Sequence, residues 1–316
     1  MSVHAMGHGR SRGYFLRMRK NWRLYVFLLL PVCYLIIFKY WPMLGAQIAF
    51  RQFNPAQGIF GSPWVGLKYF EKFFNSYQFE RVLRNTLTIS LYGLAAGLPV
   101  PILLALMLNA VRSARLRKIS QNILYTPNFI SVVVVVGMLM QIINPVVGLY
   151  AKLSVALNGS LPPDLMANPS AFPHLYIWSG VWQSMGWNSV IYFAALAAVS
   201  PELHEAALID GATRFQRILH VDFPALLPTV VIMLILSCGN IMTVGFEKVY
   251  LMQTDLNLRA SELISTYVYK VGLTGSGGPS RFSSATAIGL FNSLVNLVLI
   301  SVVNAIAGRI GETSLW

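Results

Sequence analysis

The stretch "HEAALIDGATRFQRILHVDFP", residues 204–224, is short and polar, punctuated by alanine and glycine, and lies between two long apolar runs. It holds neither a metal-ligand cluster nor a nucleophile beside a base. Its local grammar is that of two short helices meeting at a corner. Ser200 is suited to cap a helix, Pro201 takes the first helical position, and Glu202 stands in the first turn, where the helix dipole favours an acid. A helix over 201–209 follows, stopped by Asp210-Gly211, with glycine supplying a backbone angle that other residues resist. Thr213 and Gln216 match a T-x-x-Q capping box, so a second short helix runs to about Val221 and is closed by Pro224, where the next apolar run begins. Two readings fit such an object. One is a compact knob for another protein's groove, with Ala206 and Ala207 as a smooth face and Leu208, Phe215, Ile218 and Leu219 as apolar contacts. The other is an amphipathic connection lying on a membrane surface.

The rest of the chain points to a bilayer. Of its 316 residues 55% are hydrophobic and only 11% charged, and the mean hydropathy is +0.59. Soluble domains carry about 25% charged residues. Six segments reach the roughly 20 apolar residues that a helix needs to cross: 24–44, 87–111, 123–143, 175–199, 225–246 and 287–307. Lys39 is the one formal charge within them, and beside Tyr40 and Trp41 it reads as an interfacial anchor. The chain therefore divides into a basic leader, 1–23, a six-helix membrane domain, 24–308, that includes the 200–224 segment, and a short tail, 309–316. Pro99, Pro101 and Pro127 interrupt the second and third spans, as a bundle tolerates where neighbours re-satisfy the backbone. Cys33 and Cys238 lie in apolar runs and read as small core hydrophobes.

The net charge of +13 could suggest nucleic acid, but no reading module accompanies it, and Arg10, Arg12, Arg17, Arg19, Lys20 and Arg23 crowd into the leader. Basic residues ahead of a span mark a cytoplasmic anchor. With the leader inside, "RSARLRK" (112–118) is inside too, as are 200–224 and the tail. Residues 45–86, with five basic side chains, count against this orientation, whereas 144–174, with Lys152 alone, supports it. Both termini are expected in the cytoplasm.

A path for a polar solute needs hydrogen-bonding groups and flat aromatic surfaces inside an apolar bundle. The fourth span offers Ser179, Gln183 and Gly186 on one helical face, with Trp182, Trp187, Asn188 and Tyr192 nearby. The fifth offers Ser237 and Asn240, the sixth Asn292 and Asn296. Each of these could equally be glue between helices. The spans contain no acidic residue, which argues against proton- or voltage-driven transport. The glycine cluster in "TGSGGPSRFSS" (274–284) reads as a flexible loop, and neither it nor the rest of the chain has the GxxxxGKS/T spacing of a nucleotide site. No paired acid and base or metal-ligand set suggests an enzyme.

The pattern Glu205-Ala206-Ala207, then Gly211, then Pro224 resembles the EAA loop of permease subunits of ABC importers; Val221 and Phe223 stand near the proline where that family usually carries Ile and Leu. "FKYWPMLGAQIAFRQF" (38–53), "FNSYQFERVLRNTLTISLYG" (74–93), "EKVYLMQ" (247–253), "STYVYKVGL" (265–273) and "ATAIGLFNSLVN" (285–296) extend the resemblance to the sugar-permease branch, closest to its uronate and polysaccharide-derived oligosaccharide subgroup. The resemblance implies an all-α, six-helix permease of the type I ABC importer fold in a bacterial inner membrane. It implies a second permease subunit, two copies of a cytoplasmic ATPase and an extracytoplasmic binding protein as partners, with no cofactor on this chain and ATP and Mg used by the ATPase. Glu205, Ala206, Ala207, Asp210, Gly211 and Pro224 would form the ATPase-coupling loop, and an oligosaccharide, uronate-containing chains among the candidates, would be the cargo. The alternatives are a secondary sugar transporter working without an ATPase and a membrane subunit with no pathway.

Overall fold

The structure is a computed structural model that describes residues 20–275 and 278–310. Most of the expected leader, 1–19, and the tail from 311 lie outside the described residues, as do 276 and 277 of the glycine cluster. The described residues are mostly helical; the only extended pairings among them are isolated bridges, Arg51 with Trp64 and Asn54 with Gly58. The chain is all-α.

Four uninterrupted helical stretches are long and apolar enough to cross a membrane: Trp22–Phe50, Tyr77–Ala110, Arg214–Cys238 and Ser280–Arg309. A further helix, Phe172–Ala197, has 26 residues, or about 39 Å at 1.5 Å per residue. It spans a bilayer by length, but its Trp, Tyr, Ser and Gly content makes it less apolar than the other four. This helix is the hub. It packs on Tyr77–Gly97 and Pro99–Ala110 on one side and on Phe223–Cys238 on another. Apolar clusters lie along it: Ile89, Val136, Phe172, Ile177 and Val249 towards one end, Ile102, Leu106, Tyr192, Leu196 and Leu226 towards the other.

The expected third span, 123–143, is corrected. It is not one helix but the junction of two, Ala114–Phe129 and Val132–Ile143, bent by 98°. Pro127 sits in a 3-10 turn over Thr126–Phe129, Ile130 is extended, and Ser131 caps the next helix by accepting the Val134 N–H at 3.4 Å. Gln183 holds the corner from outside, donating through Nε2 to the Ile130 carbonyl at 2.9 Å. The first limb, Ala114–Tyr125, carries "ARLRK" and has no buried residue.

The second correction concerns Pro224. It does not close a helix: Arg214–Arg217, a π-helical turn over Ile218–Asp222 and Phe223–Cys238 form one continuous rod. In the wide turn Phe223 N–H bonds to the Ile218 carbonyl, five residues back. That shift makes room for a proline ring that would otherwise strike the carbonyl four residues before it. The span also ends earlier than expected, at Cys238.

Between the expected fifth and sixth spans the chain is largely short helices, Phe246–Met252, Leu258–Ser261 and Ile264–Tyr269. Buried Asn257 holds them, donating to the Met252 and Met166 carbonyls at 3.0 and 2.8 Å. Glu262, also buried, pairs with Arg81 and, at 3.6 Å, with Lys270, tying this region to Tyr77–Gly97. By contrast, Trp22–Leu35 contributes no buried residue, and the first span meets the bundle mainly through Leu44–Phe50, which lies against the last helix and Lys68–Phe74.

Candidate functional site

The 200–224 segment follows its local rules closely. Ser200 Oγ accepts the Glu202 N–H at 3.3 Å and opens the helix Pro201–Ile209. Asp210 N–H returns to the Ala206 carbonyl at 3.0 Å and Ala212 N–H to that of Ala207 at 2.9 Å, around Gly211 at φ +76°. A side chain at that φ would strain the backbone, so the corner belongs to glycine. Thr213 and Gln216 form the full capping box, the Gln216 Oε1 accepting the Thr213 N–H at 2.7 Å. Glu205, Ala206 and Asp210 are exposed and Ala207 is half-buried. Leu208, Ile209, Phe215 and Leu219 are also exposed, so the corner presents apolar side chains together with carboxylates.

Beneath the corner lies an arrangement that the sequence reading missed. Asp222 is buried, its Oδ1 accepting from Asn109 Nδ2 at 3.3 Å and lying 3.4 Å from His204 Nε2. Arg214 Nη2 donates to the Ala110 carbonyl at 3.1 Å. Both helices of the corner are thereby fastened to the end of Pro99–Ala110. An acid directly before an apolar run was the available signal, since a carboxylate there needs partners.

A cavity of ≈ 630 Å³ opens between Tyr77–Ala110, Phe172–Ala197 and Phe223–Cys238 with the turns that follow it. Of the expected pathway residues, Gln183, Asn188, Tyr192 and Asn240 come together on its wall, joined by Ser184 and Ser237. Trp187, Asn292 and Asn296 do not border it. Trp187 falls on another face of its helix, half exposed, with its ring edge-on to Phe129. Asn296 braces the backbone, accepting from Met242 N–H at 2.9 Å and donating to Thr243 Oγ1 at 3.0 Å. Asn292 Oδ1 is buried without a hydrogen-bond partner. Gly186, read from sequence as part of the same polar face, serves packing: a Cβ there would lie 1.9 Å from the Leu124 carbonyl oxygen, so glycine lets the bent third element touch the hub.

Two further wall residues were not anticipated. Tyr176 and Lys248 meet at one end of the cavity, Lys248 Nζ donating to the Tyr176 carbonyl at 3.0 Å. "FEKVYLM" gives no hint of which face of a short helix is turned inward, so Lys248 is not among the expected pathway residues. A second cavity of ≈ 520 Å³ shares Ile89 with the first and is bordered by Arg81, Arg84 and Arg259. No group of three or more His, Cys, Asp or Glu side chains suited to a metal occurs among the described residues, and Cys33 and Cys238 are free. The arrangement offers hydroxyls, amides, an aromatic ring and one ammonium to a solute, with no reacting pair.

Comparison with known proteins agrees with this chemistry. Residues 97–312 match the family model described as binding-protein-dependent transport system inner membrane component. The chain is 40% identical over 290 residues to the polygalacturonan/rhamnogalacturonan transport system permease protein YteP of Bacillus subtilis (strain 168), covering 92% of this chain and 89% of that one. Among solved structures it resembles a chain of a bacterial ABC transporter involved in the import of the acidic polysaccharide alginate, with a TM-score of 0.86, 37% identity, and coverage of 94% and 99%. It resembles equally a chain of the bacterial alginate ABC transporter in complex with alginate pentasaccharide-bound periplasmic protein, with a TM-score of 0.86, 36% identity, and coverage of 95% and 99%.

Proposed function

This chain belongs to the family of inner-membrane components of binding-protein-dependent transport systems, and on that premise we propose that it is the membrane permease subunit of an ATP-driven importer of oligosaccharides. It works with a second permease subunit, two copies of a cytoplasmic ATPase that use ATP and Mg, and an extracytoplasmic binding protein. Both termini lie in the cytoplasm, with the 1–23 leader as an anchor, and the chain crosses the membrane six times, the bent pair and Phe172–Ala197 included. The first span, with nothing buried over Trp22–Leu35, suits packing against a second subunit.

The observation that carries this reading is a mechanical continuity. An exposed two-helix corner is fastened through Asp222, His204 and Asn109 to Pro99–Ala110, and runs without a break into Phe223–Cys238. Both of those helices wall the polar cavity. A push on the corner moves the walls, which is what an importer driven by a separate ATPase requires. In this mechanism Glu205 makes polar contact with the ATPase, Ala206 and Ala207 allow close seating, Asp210 and Gly211 form the corner, and Pro224 with its π turn joins the handle to the span. We restrict the proposed lining of the path to Gln183, Asn188, Tyr192 and Asn240, whose amides and hydroxyl can exchange hydrogen bonds with a sugar as it passes. The names of YteP and of the alginate transporter make oligosaccharides of polygalacturonan, rhamnogalacturonan and alginate the first cargo to try.

The test is substrate-stimulated ATPase activity and uptake in vesicles holding the whole complex, with Glu205→Lys and Gly211→Pro compared with wild type. Both variants are expected to insert and assemble while stimulation and uptake collapse together. Survival of both activities in a correctly assembled complex would overturn the coupling reading.

A further inference from the structure

Lys248 has a setting that the transport mechanism above does not use. It is 8% exposed, on Phe246–Met252, the short helix after the fifth apolar rod, and it borders the cavity. Its ammonium donates to the Tyr176 carbonyl at 3.0 Å and lies 5.1 Å from the centre of the Tyr176 ring. An ammonium has three donors, and the carbonyl takes one. No carboxylate lies within ion-pair distance of it among the described residues. The other buried charges are matched inside the chain, Glu262 by Arg81 and Lys270, Asp222 by His204. A buried charge without a counter-charge is costly, so this one is poised to take a partner from the cavity.

The space beside it fits such a partner. Gly180 leaves it open, since a Cβ there would stand 3.1 Å from Nζ. Ser90 Oγ, on the same wall, is buried and has no hydrogen-bond partner. The adjoining ≈ 520 Å³ cavity extends the pattern: Arg81 is taken by Glu262, whereas Arg84 and Arg259 form no ion pair among the described residues, and Glu80 is the one acid bordering it.

We propose that Lys248 is the specificity-determining counter-charge of the translocation path, holding one carboxylate at a time of an acidic oligosaccharide that Arg84 and Arg259 have gathered. This rests on the importer reading and narrows its substrate class to uronate-type sugars. A single ammonium backed by a carbonyl and a ring attracts a carboxylate without the bidentate grip of an arginine, so the cargo can leave as readily as it arrives. Burial brings the Lys248 pKa down to about 8, which keeps it mainly charged at neutral pH.

The test uses the full complex in vesicles and two probes, a uronate tetrasaccharide and the same tetrasaccharide with its carboxyls reduced to alcohols. Each is supplied at a concentration the wild type imports measurably. The readout is the ratio of acidic to neutral uptake. Loss of a charge-assisted hydrogen bond should lower that ratio about tenfold in Lys248→Gln, while Lys248→Arg keeps most of it. An independent pair leaves the lysine intact: Gly180→Asp supplies an internal carboxylate and should lower the ratio as Lys248→Gln does, while Gly180→Asn, of the same size, should not. An unchanged ratio in Lys248→Gln, or an equal fall in both uptakes, overturns the assignment alone. So does an equal effect of Gly180→Asp and Gly180→Asn. A wild-type complex that couples ATP hydrolysis but imports neither sugar overturns the oligosaccharide reading and this assignment with it.

Discussion

The corner at 200–222 and the cavity beside Phe172–Ala197 are built by opposite means. The caps and the turn of the corner are made by bonds between residues a few positions apart, Ser200 to Glu202, Ala212 to Ala207, Thr213 to Gln216, and only its fastening to Pro99–Ala110 is long-range. The cavity is assembled from side chains far apart in sequence, such as Ser90, Gln183, Asn240 and Lys248. The lesson is one of division of labour. In the proposed mechanism a handle gripped by a partner must keep its shape while it moves, and short-range caps give it that. A path must change shape, and walls drawn from several helices can separate and close.

That contrast can be broken experimentally, and the largest effect should come at its seam. Gly186→Val drives a side chain into the Leu124 carbonyl, 1.9 Å from where its Cβ must go, and should destabilise the chain by about 3 kcal/mol or more. Size-exclusion profiles and thermal unfolding of the purified complex would register this; a wild-type profile would mean the two elements are not in contact. Next comes the latch under the corner. Asp222→Ala leaves Asn109 and His204 without their shared acceptor and should cost about 2 kcal/mol. Substrate-stimulated ATPase activity should fall more than basal activity; an equal fall would mean the latch only supports folding.

A third experiment tests the cavity by pH. Burial lowers the Lys248 pKa to about 8, so the ammonium is charged below that value and neutral above it. The titratable side chain facing it is Tyr176; Val132–Ile143, which packs on the same helix, carries none, and Tyr269 packs on Phe246 and Tyr250 instead. Raising the pH on the sugar side from 7 to 9 should therefore lower acidic-sugar uptake towards about tenfold, since sugar carboxylates stay ionised across that range. In Lys248→Arg the decline should vanish, and its persistence there would assign the titration elsewhere. The smallest effect belongs to the corner. Thr213→Ala removes one cap and should cost about 1 kcal/mol, seen as faster amide exchange over Arg214–Arg217 with assembly intact. Exchange spreading across the cavity walls would show that the two regions are less separate than their hydrogen bonds suggest.

This division also explains what could be read in advance. The all-α membrane class, the helix Pro201–Ile209, its glycine corner and the capping box were legible, because composition and contacts within a few residues determine them. Gln183, Asn188, Tyr192 and Asn240 were legible as polar residues in apolar helices, but not as a set distinct from Asn296, which braces Met242 and Thr243. Hydrogen-bonding capacity is a property of the residue type, whereas the partner is a property of the fold. The 98° bend after Pro127 and the unbroken rod through Pro224 reversed the simplest reading of each proline. A proline forbids one backbone bond; neighbours such as Gln183, or a widened turn, decide whether the helix then breaks or continues.

From the sequence alone came a bilayer-spanning helical chain with a two-helix corner of defined shape, since the cost of unpaired backbone in lipid and the angles of capped turns act locally. Only the tertiary structure decided that Asp222 latches that corner, that Gly186 admits a neighbouring backbone, and that Lys248 turns inward to a polar cavity without a carboxylate of its own. Those outcomes depend on which helix faces meet, and helices in lipid choose their faces by packing and polar pairing between segments distant in the chain.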